Sequence, residues 1–496
     1  MSMIRAVPAG LNHCSQDPLR NRLTTKTMSP CRNVTAAPID SVPYEVLGRI
    51  FLYYVYHLDE PANETASHPI AAADKFNQNS PLLLSSVYSR WRTVANGTPA
   101  LWANIAVDNP SENTVFIFQL WLERSQGLPL DLTIIQNFCN RSRHLYGPNS
   151  PLGQIVTAAL TQSFRWRNIK ILAPERELNI PKWMSMPNLK SLDVAIFIER
   201  NFKLRLHREL YSRICSAPTL QTVKFSGQCF RPSWIPGIHW SSITTVNIDE
   251  SISSNKLLKM FKLASSIRKC SIKRLFLTSA ARKQNFGVIV APSLQELELR
   301  FTEGCPYFLD HLSLPALVKL TLEVPSPFYE YYGVQVPPRA GLWQRIAQLG
   351  ERSEWKLTVL DFHCITRRNE SSSHNIGTWA ASPAFAHLTT FRHHGEGASR
   401  TPVESLSALT FRDTFKPMPQ LETLDLELGF PYPMEDTDEA ICELLLSRTK
   451  GINDATLRYA NFKMKLDSDI LDKCFPLFTD LEIPGVVIEC TCLYPS

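Results

Sequence analysis

The chain has 496 residues, 44% of them hydrophobic and 20% charged, which suits a folded core and excludes wholesale disorder. Its 52 Lys and Arg against 46 Asp and Glu leave a formal charge of +6, too little over this length for a dedicated nucleic-acid binder. Glycine is scarce, 19 residues against 35 prolines, which weighs against loops that wrap phosphates.

Residues 1–35 hold Arg5, Arg20, Arg22, Lys26 and Arg32 against Asp17 alone, with Pro8, Pro18 and Pro30 breaking any amphipathic helix. That composition predicts a disordered tail, with organelle targeting as the alternative. No secretory signal is expected, and Val46–Leu58 is interrupted by Arg49 and His57 and too short to span a bilayer. The expected compartment is cytoplasmic or nuclear, without membrane or nucleic-acid contact. The 12 cysteines include no C-x-x-C pair and read as free thiols.

A small helical module is expected over 36–106. Val42-Pro43-Tyr44-Glu45 is a helix start, with proline in the first turn and an anion at the positive end of the dipole. Val46, Leu47, Ile50, Phe51 and Tyr54 follow at helical spacing. A polar insertion from His57 to Asn79 precedes a second start at Ser80-Pro81, where Leu83, Leu84, Val87, Trp91, Val94 and Ala95 share a face. Asn96-Gly97 ends that helix, and Thr98-Pro99-Ala100-Leu101-Trp102 begins a short third one.

These three pieces, V-P-x-E-V-L-x-x-I-F at 42–51, L-L-x-x-V-Y-x-x-W-R-x-x-A at 83–95 and T-P-x-L-W at 98–102, resemble an F-box. The resemblance is to the expanded F-box families of mushroom-forming fungi, with Val42 in place of a more usual leucine and Tyr88 where a cysteine is common. It implies docking on an SKP-family adaptor, and through it on a cullin–RING ubiquitin ligase. The docking residues would be Val42, Pro43, Glu45, Val46, Leu47, Ile50, Phe51, Leu84, Val87, Trp91, Leu101 and Trp102. A unit this small covers its own apolar surface poorly, so a partner face is physically reasonable.

After a linking helix and strand segment at 107–162, a strand pattern recurs through 163–485. Five copies share P-x-L-x-x-Φ-x-Φ, where Φ is apolar, beginning at Pro187, Pro218, Pro292, Pro315 and Pro419. Weaker copies without the proline begin at Trp166, Ile243, Ile272, Leu357, Leu388, Ile452 and Phe478. Φ-x-Φ points two side chains inward per strand, which parallel stacking can bury. This part resembles a degenerate leucine-rich repeat lacking the customary Asn or Cys after the last apolar position; Gln228 comes closest. The expected fold is therefore α/β, an N-terminal three-helix F-box followed by an irregular solenoid with a curved parallel sheet. An ordinary α/β domain is the alternative. Residues 486–496 are expected to form a C-terminal tail.

No P-loop, dinucleotide, nucleophile-elbow or H-E-x-x-H motif occurs, and His363, His387, His393 and His394 lack metal-ligand spacing. No catalysis, metal or cofactor is expected. In a leucine-rich repeat the residue between the inward pair faces out, which gives Lys170, Asp193, Lys224, Asn247, Phe276, Glu298, Thr321, Asp361, Arg392, Asp425, Thr456 and Glu482. The acid-rich second half, Glu298, Asp361, Arg392, Asp425 and Glu482, is the candidate site for a basic segment of an unknown substrate protein. Two functions follow: a substrate-recognition adaptor of an SCF-type ubiquitin ligase, or a repeat scaffold that binds proteins without one.

Overall fold

A tight turn introduces most strands of this protein, and its chemistry explains the P-x-L motif. In Met186-Pro187-Asn188-Leu189 the Leu189 N–H donates to the Met186 carbonyl (3.4 Å), with proline at the second position where its fixed φ suits the turn. The same bond recurs at Leu220, Leu294, Leu317 and Leu421, each of which is fully buried. Without proline, Ile243, Ile267 and Leu388 make the turn too.

The computed structural model describes residues 38–57, 80–136, 149–174, 184–197, 217–227, 238–276, 287–303, 307–325, 342–365, 379–396, 406–412, 416–428, 435–449, 457–464 and 486–492. It is an α/β structure built on one large parallel sheet. Helices α1 (Tyr44–His57), α2 (Pro81–Val87) and α3 (Ser89–Asn96) and a 3-10 turn at Pro99–Trp102 come first. The remaining helices are α4 (Glu112–Arg124), α5 (Pro151–Thr161), α6 (Ser254–Leu263), α7 (Leu342–Ser353) and α8 (Glu435–Thr449). The strands are β1 (Asn104–Asp108), β2 (Leu130–Ile135), β3 (Trp166–Pro174), β4 (Ser191–Phe197), β5 (Thr222–Gly227), β6 (Thr245–Ser253), β7 (Lys269–Phe276) and β8 (Ile289–Val290). They continue with β9 (Glu296–Glu303), β10 (Leu312–Ser313), β11 (Lys319–Pro325), β12 (Val359–Ile365), β13 (Thr390–Glu396), β14 (Thr423–Leu428), β15 (Tyr459–Met464) and β16 (Val487–Cys492). Among the described residues, 14 strands form the main sheet in strict chain order, and β8 pairs with β10 apart from it. No described helix is long and apolar enough to cross a membrane.

Register carries the inward pairs into unbroken rows. Leu192 lies opposite Val223, and Leu297 opposite Leu320, as the repeat predicts. The row runs from Ile105 through Leu132, Ile169 and onward to Leu424 and Ala460, all buried.

Three expectations are corrected. The sheet begins at Asn104, inside the range expected for the helical module, and the strand of the linking segment, at Leu130–Ile135, is its second, so the sheet starts well before residue 163. At the other end, β16 lies inside the expected tail, with Cys490 and Cys492 on the strand. The copies assigned to Ile272 and Ile452 are out of phase. In β7 the inward pair is Cys270 and Ile272, and in β15 it is Ala460 and Phe462. Cys and Ala fill apolar positions as small hydrophobes that a leucine template does not find. Phe276 consequently leaves the outward row, which holds Ser271 in β7 and Asn461 in β15. The insertion at 58–79, Thr456 and Glu482 lie outside the described residues.

Neighbouring repeats are also fastened on the helix side. Arg165 donates to the carbonyls of Leu128 (2.9 Å) and Ser125 (3.2 Å), one repeat earlier. Arg352 reaches Leu309 and Leu312 in the same way (2.7 and 2.8 Å). Arg448 is the most enclosed, at 2% exposure, with bonds to the Leu409, Pro417 and Met418 carbonyls and its guanidinium 4.3 Å from the Phe411 ring centre. Burial pulls its pKa down to about 9. Replacing Arg448 with methionine keeps the apolar stem but strands three carbonyls, and should cost roughly 3 kcal/mol in urea unfolding. A loss below about 0.5 kcal/mol would show that water replaces the guanidinium there.

Scarce glycine leaves a mark on the helix ends. Gln126 and Glu354, just beyond α4 and α7, take left-handed φ of 49° each, where glycine is the usual residue. Gln126→Gly and Glu354→Gly should each raise stability by up to about 1 kcal/mol, readable as a higher thermal midpoint.

Candidate functional site

Helix α1 carries two apolar stripes. Leu47, Phe51 and Val55 face inward, none more than 5% exposed. Val46, Ile50 and Tyr53, spaced four and three residues apart, stay 46–59% exposed. Helix α2 repeats the division: Leu84 is buried, while Leu83 and Val87 remain 37% and 54% exposed. Ile39 and Tyr44 add to the exposed set, and Pro43 and Glu45 are also exposed. An amphipathic helix of a self-sufficient domain needs one stripe; the second is apolar surface left open to solvent.

The helices are held rigidly under that face. Ser80 caps α2 by accepting from the Leu82 N–H (3.2 Å). The Ser85 and Ser86 hydroxyls bond back to the Leu82 and Leu83 carbonyls (2.8 and 2.7 Å). Such back-bonding bends helices, and the expected single helix over 80–97 is interrupted at Tyr88, whose φ of −161° is extended. Arg90 ties α3 to the entry of α1, donating to the Val42 carbonyl and lying 5.0 Å from the Tyr44 ring centre. Trp91, half-buried, sits 4.9 Å from Phe51 between ring centres. Gly48 lets α1 pass close to Thr98: a Cβ there would lie 3.1 Å from the threonine hydroxyl, a tight contact. Trp102 donates to the Ala95 carbonyl (2.8 Å) and meets Trp121 of α4 edge-on at 5.4 Å, which joins the helices to the sheet.

The expected docking set therefore splits. Pro43, Glu45, Val46, Ile50 and Val87 are exposed, and Val42 and Trp91 half-buried. Leu47, Phe51, Leu84, Leu101 and Trp102 are core, so they cannot meet a partner directly. The motif alone does not separate them, because both stripes are apolar and share one helical spacing. Exposed Tyr53 and Leu83 were not in the expected set, although their positions in the pattern match those of Ile50 and Val87.

The outward row of the sheet is not an acidic lane. Asp361, 6% exposed, accepts from Arg392 (3.1 Å) and Lys319 (3.5 Å), one on each neighbouring strand. Asp425, 9% exposed, lies 3.6 Å from His394. Glu298 accepts from the Ser271 hydroxyl (2.9 Å), and Lys224–Asp193, Lys273–Asp249 and Arg300–Glu323 continue the pairing (3.4, 3.3 and 3.0 Å). Burial raises the Asp193 pKa, with Lys224 and Lys170 opposing the rise. Adjacent strands thus balance one another's charge, and Asp361 and Asp425 are too enclosed to capture a basic segment. A linear reading adds charges along a row but does not see the neighbouring rows that neutralise them.

Other chemistry is sparse. His363 stacks on His394 at 4.9 Å, whereas His393 points inward and is buried against Phe362. Among the described residues no group of three His, Cys, Asp or Glu is placed to hold a metal ion. Cys270 and Cys442 are free thiols, and burial raises the Cys270 pKa, leaving a poor nucleophile.

No family model and no curated protein matches this chain. Among solved structures it is similar to a Bacteroides fragilis protein determined as a structural genomics target, with 11% identity, 74% of this chain and 66% of that chain covered, and a TM-score of 0.22.

Among the described residues of the helical module, Tyr56 is strongly shifted. Burial raises the Tyr56 phenol to about 12, with nearby Asp131 adding to the rise and Arg167 opposing it. Its hydroxyl donates to the Ala100 carbonyl (2.8 Å). The folded form thus keeps a proton that the unfolded chain loses near pH 10, so its contribution is intact below pH 10 and lost as pH rises to about 12. Urea titrations over that window should show a shallower fall in stability for Tyr56→Phe than for the parent; equal slopes would count against the assignment.

Proposed function

We propose that this protein is a substrate-recognition adaptor of an SCF-type cullin–RING ubiquitin ligase, with no chemistry of its own. In this reading α1 to α3 are an F-box that docks on an SKP-family adaptor. The strand repeats form a leucine-rich-repeat-like solenoid that presents a binding surface for a target protein. The observation that carries it is the second apolar stripe, Val46, Ile50 and Tyr53 with Leu83 and Val87, left exposed on helices whose first stripe is already buried.

The test must spare the core. Leu47→Ala would remove a buried side chain and report on folding. Ile50→Asp with Val87→Asp changes two half-exposed residues and should leave the melting curve unchanged, yet cut capture of an SKP-type adaptor by more than about tenfold in a pull-down. A folded double variant that captures the adaptor like the parent would sink the docking reading.

A repeat scaffold without a ligase is favoured by a different observation. Leu101 and Trp102 are completely buried and continuous with the sheet core, as a capping unit of a repeat array would be. That reading predicts no adaptor capture by the parent protein at all.

A further inference from the structure

Between residues 251 and 295 the sequence has nine Lys and Arg and no Asp or Glu. Five of the nine lie on two distinct surfaces. Lys269 and Lys273 project on the outward face of the sheet and are neutralised there by Glu296 (2.7 Å) and Asp249 (3.3 Å). Lys256, Lys259 and Lys262 lie on α6, whose buried side holds Leu257, Leu258, Met260 and Phe261. Their three-residue spacing sets them about 4.5 Å apart along one stripe of the helix. None of the three has an ion pair among the described residues; of the acidic groups on the two elements that flank α6, Asp249 of β6 pairs with Lys273, Glu250 of β6 has a partner of its own, and Asp310 of the 3-10 turn at Tyr307–His311 is held by Arg345.

The lysine stripe borders an apolar strip. Leu263 at the end of α6 is 49% exposed, and Val288 and Val290 on the adjoining β8 segment are 54% exposed each. Exposed aliphatic side chains beside unneutralised lysines form a surface with two chemistries, and one partner can satisfy both. We propose that the α6–β8 surface docks an acidic amphipathic segment of another protein, carboxylates on Lys256, Lys259 and Lys262 and aliphatic side chains on Leu263, Val288 and Val290. A protein segment fits better than a nucleic acid. Among the described residues the strip exposes no aromatic ring on which a base could stack, and the cations of the α6 stripe are lysines rather than the forked guanidinium suited to phosphate.

The test uses the full chain and fluorescence anisotropy at low ionic strength, with a labelled peptide of repeating Leu-Glu-Glu as the probe. Binding is expected to weaken by about tenfold or more in the triple variant Lys256→Glu, Lys259→Glu, Lys262→Glu, and to weaken with salt. Leu263→Ser with Val290→Ser should weaken it several-fold while thermal midpoints hold. Polyglutamate of equal length should bind more weakly than the leucine-containing peptide. Absent binding, unchanged binding by the charge-reversed variant, equal binding of polyglutamate, or tighter binding of an oligothymidylate of equal charge would each overturn the proposal. The surface is remote in sequence from α1 to α3, so adaptor capture, measured in parallel, reports on that reading separately.

Discussion

One backbone interaction spaces the repeats. From β4 to β14 of the main sheet, the carbonyl just before the strand accepts two N–H groups from the same position one repeat later. Lys190 receives Gln221 and Thr222 (2.8 and 3.0 Å), Gln221 receives Thr244 and Thr245, and Thr244 receives Arg268 and Lys269. The series continues through Arg268, Gln295, Val318, Thr358, Thr389 and Glu422. A backbone carbonyl has two acceptor sites, and at these nine positions both are used, so each following strand start is fixed against its predecessor. Insertions between strands can then vary in length without moving the register, because the turn before each strand restores it. Loop closure costs grow slowly with length, which lets intervals as unequal as those between β9, β11 and β12 coexist in one sheet.

Both faces of the sheet inherit this regularity. Inward, it aligns Leu, Val, Ile and Phe into rows that bury almost completely. His393 is tolerated in those rows because it stacks on Phe362 (5.3 Å). Outward, it brings side chains of successive strands side by side, so opposite charges pair laterally across the ladder. Pairs as exposed as Lys269–Glu296 contribute little stability individually, but together they leave the outward face without a dominant sign. Unpaired positive charge collects instead on α6, where Lys256, Lys259 and Lys262 have no ion pair among the described residues while Asp249 of the adjoining β6 is taken by Lys273.

How far the sequence reveals this varies with side-chain identity. Where the turn holds proline and the inward pair is leucine, as at Pro292 to Leu299 or Pro315 to Leu322, element, phase and burial are all legible. Where Cys270 or Ala460 takes an inward position, the pattern slips, since these residues are apolar enough to bury but carry no repeat signature. The helical module shows a similar limit. Its helices follow from Pro43, Ser80-Pro81 and the apolar spacing, yet the break at Tyr88 depends on serine hydroxyls that the spacing does not report.

By itself the sequence determined where chains must turn and which residues prefer an apolar setting, because proline geometry and hydrophobic periodicity act locally. It also determined that strands repeat in parallel, since inward pairs separated by long intervals cannot close as hairpins. Only the tertiary structure decided which of two apolar stripes on α1 is core, because that depends on what packs against the helix. Tertiary structure likewise decided that Asp361 is neutralised, by Lys319 and Arg392 from neighbouring strands, while Lys259 is not. Charges and apolar side chains acquire their roles from neighbours across the fold, and those neighbours lie 31 and 42 residues away in sequence for Asp361.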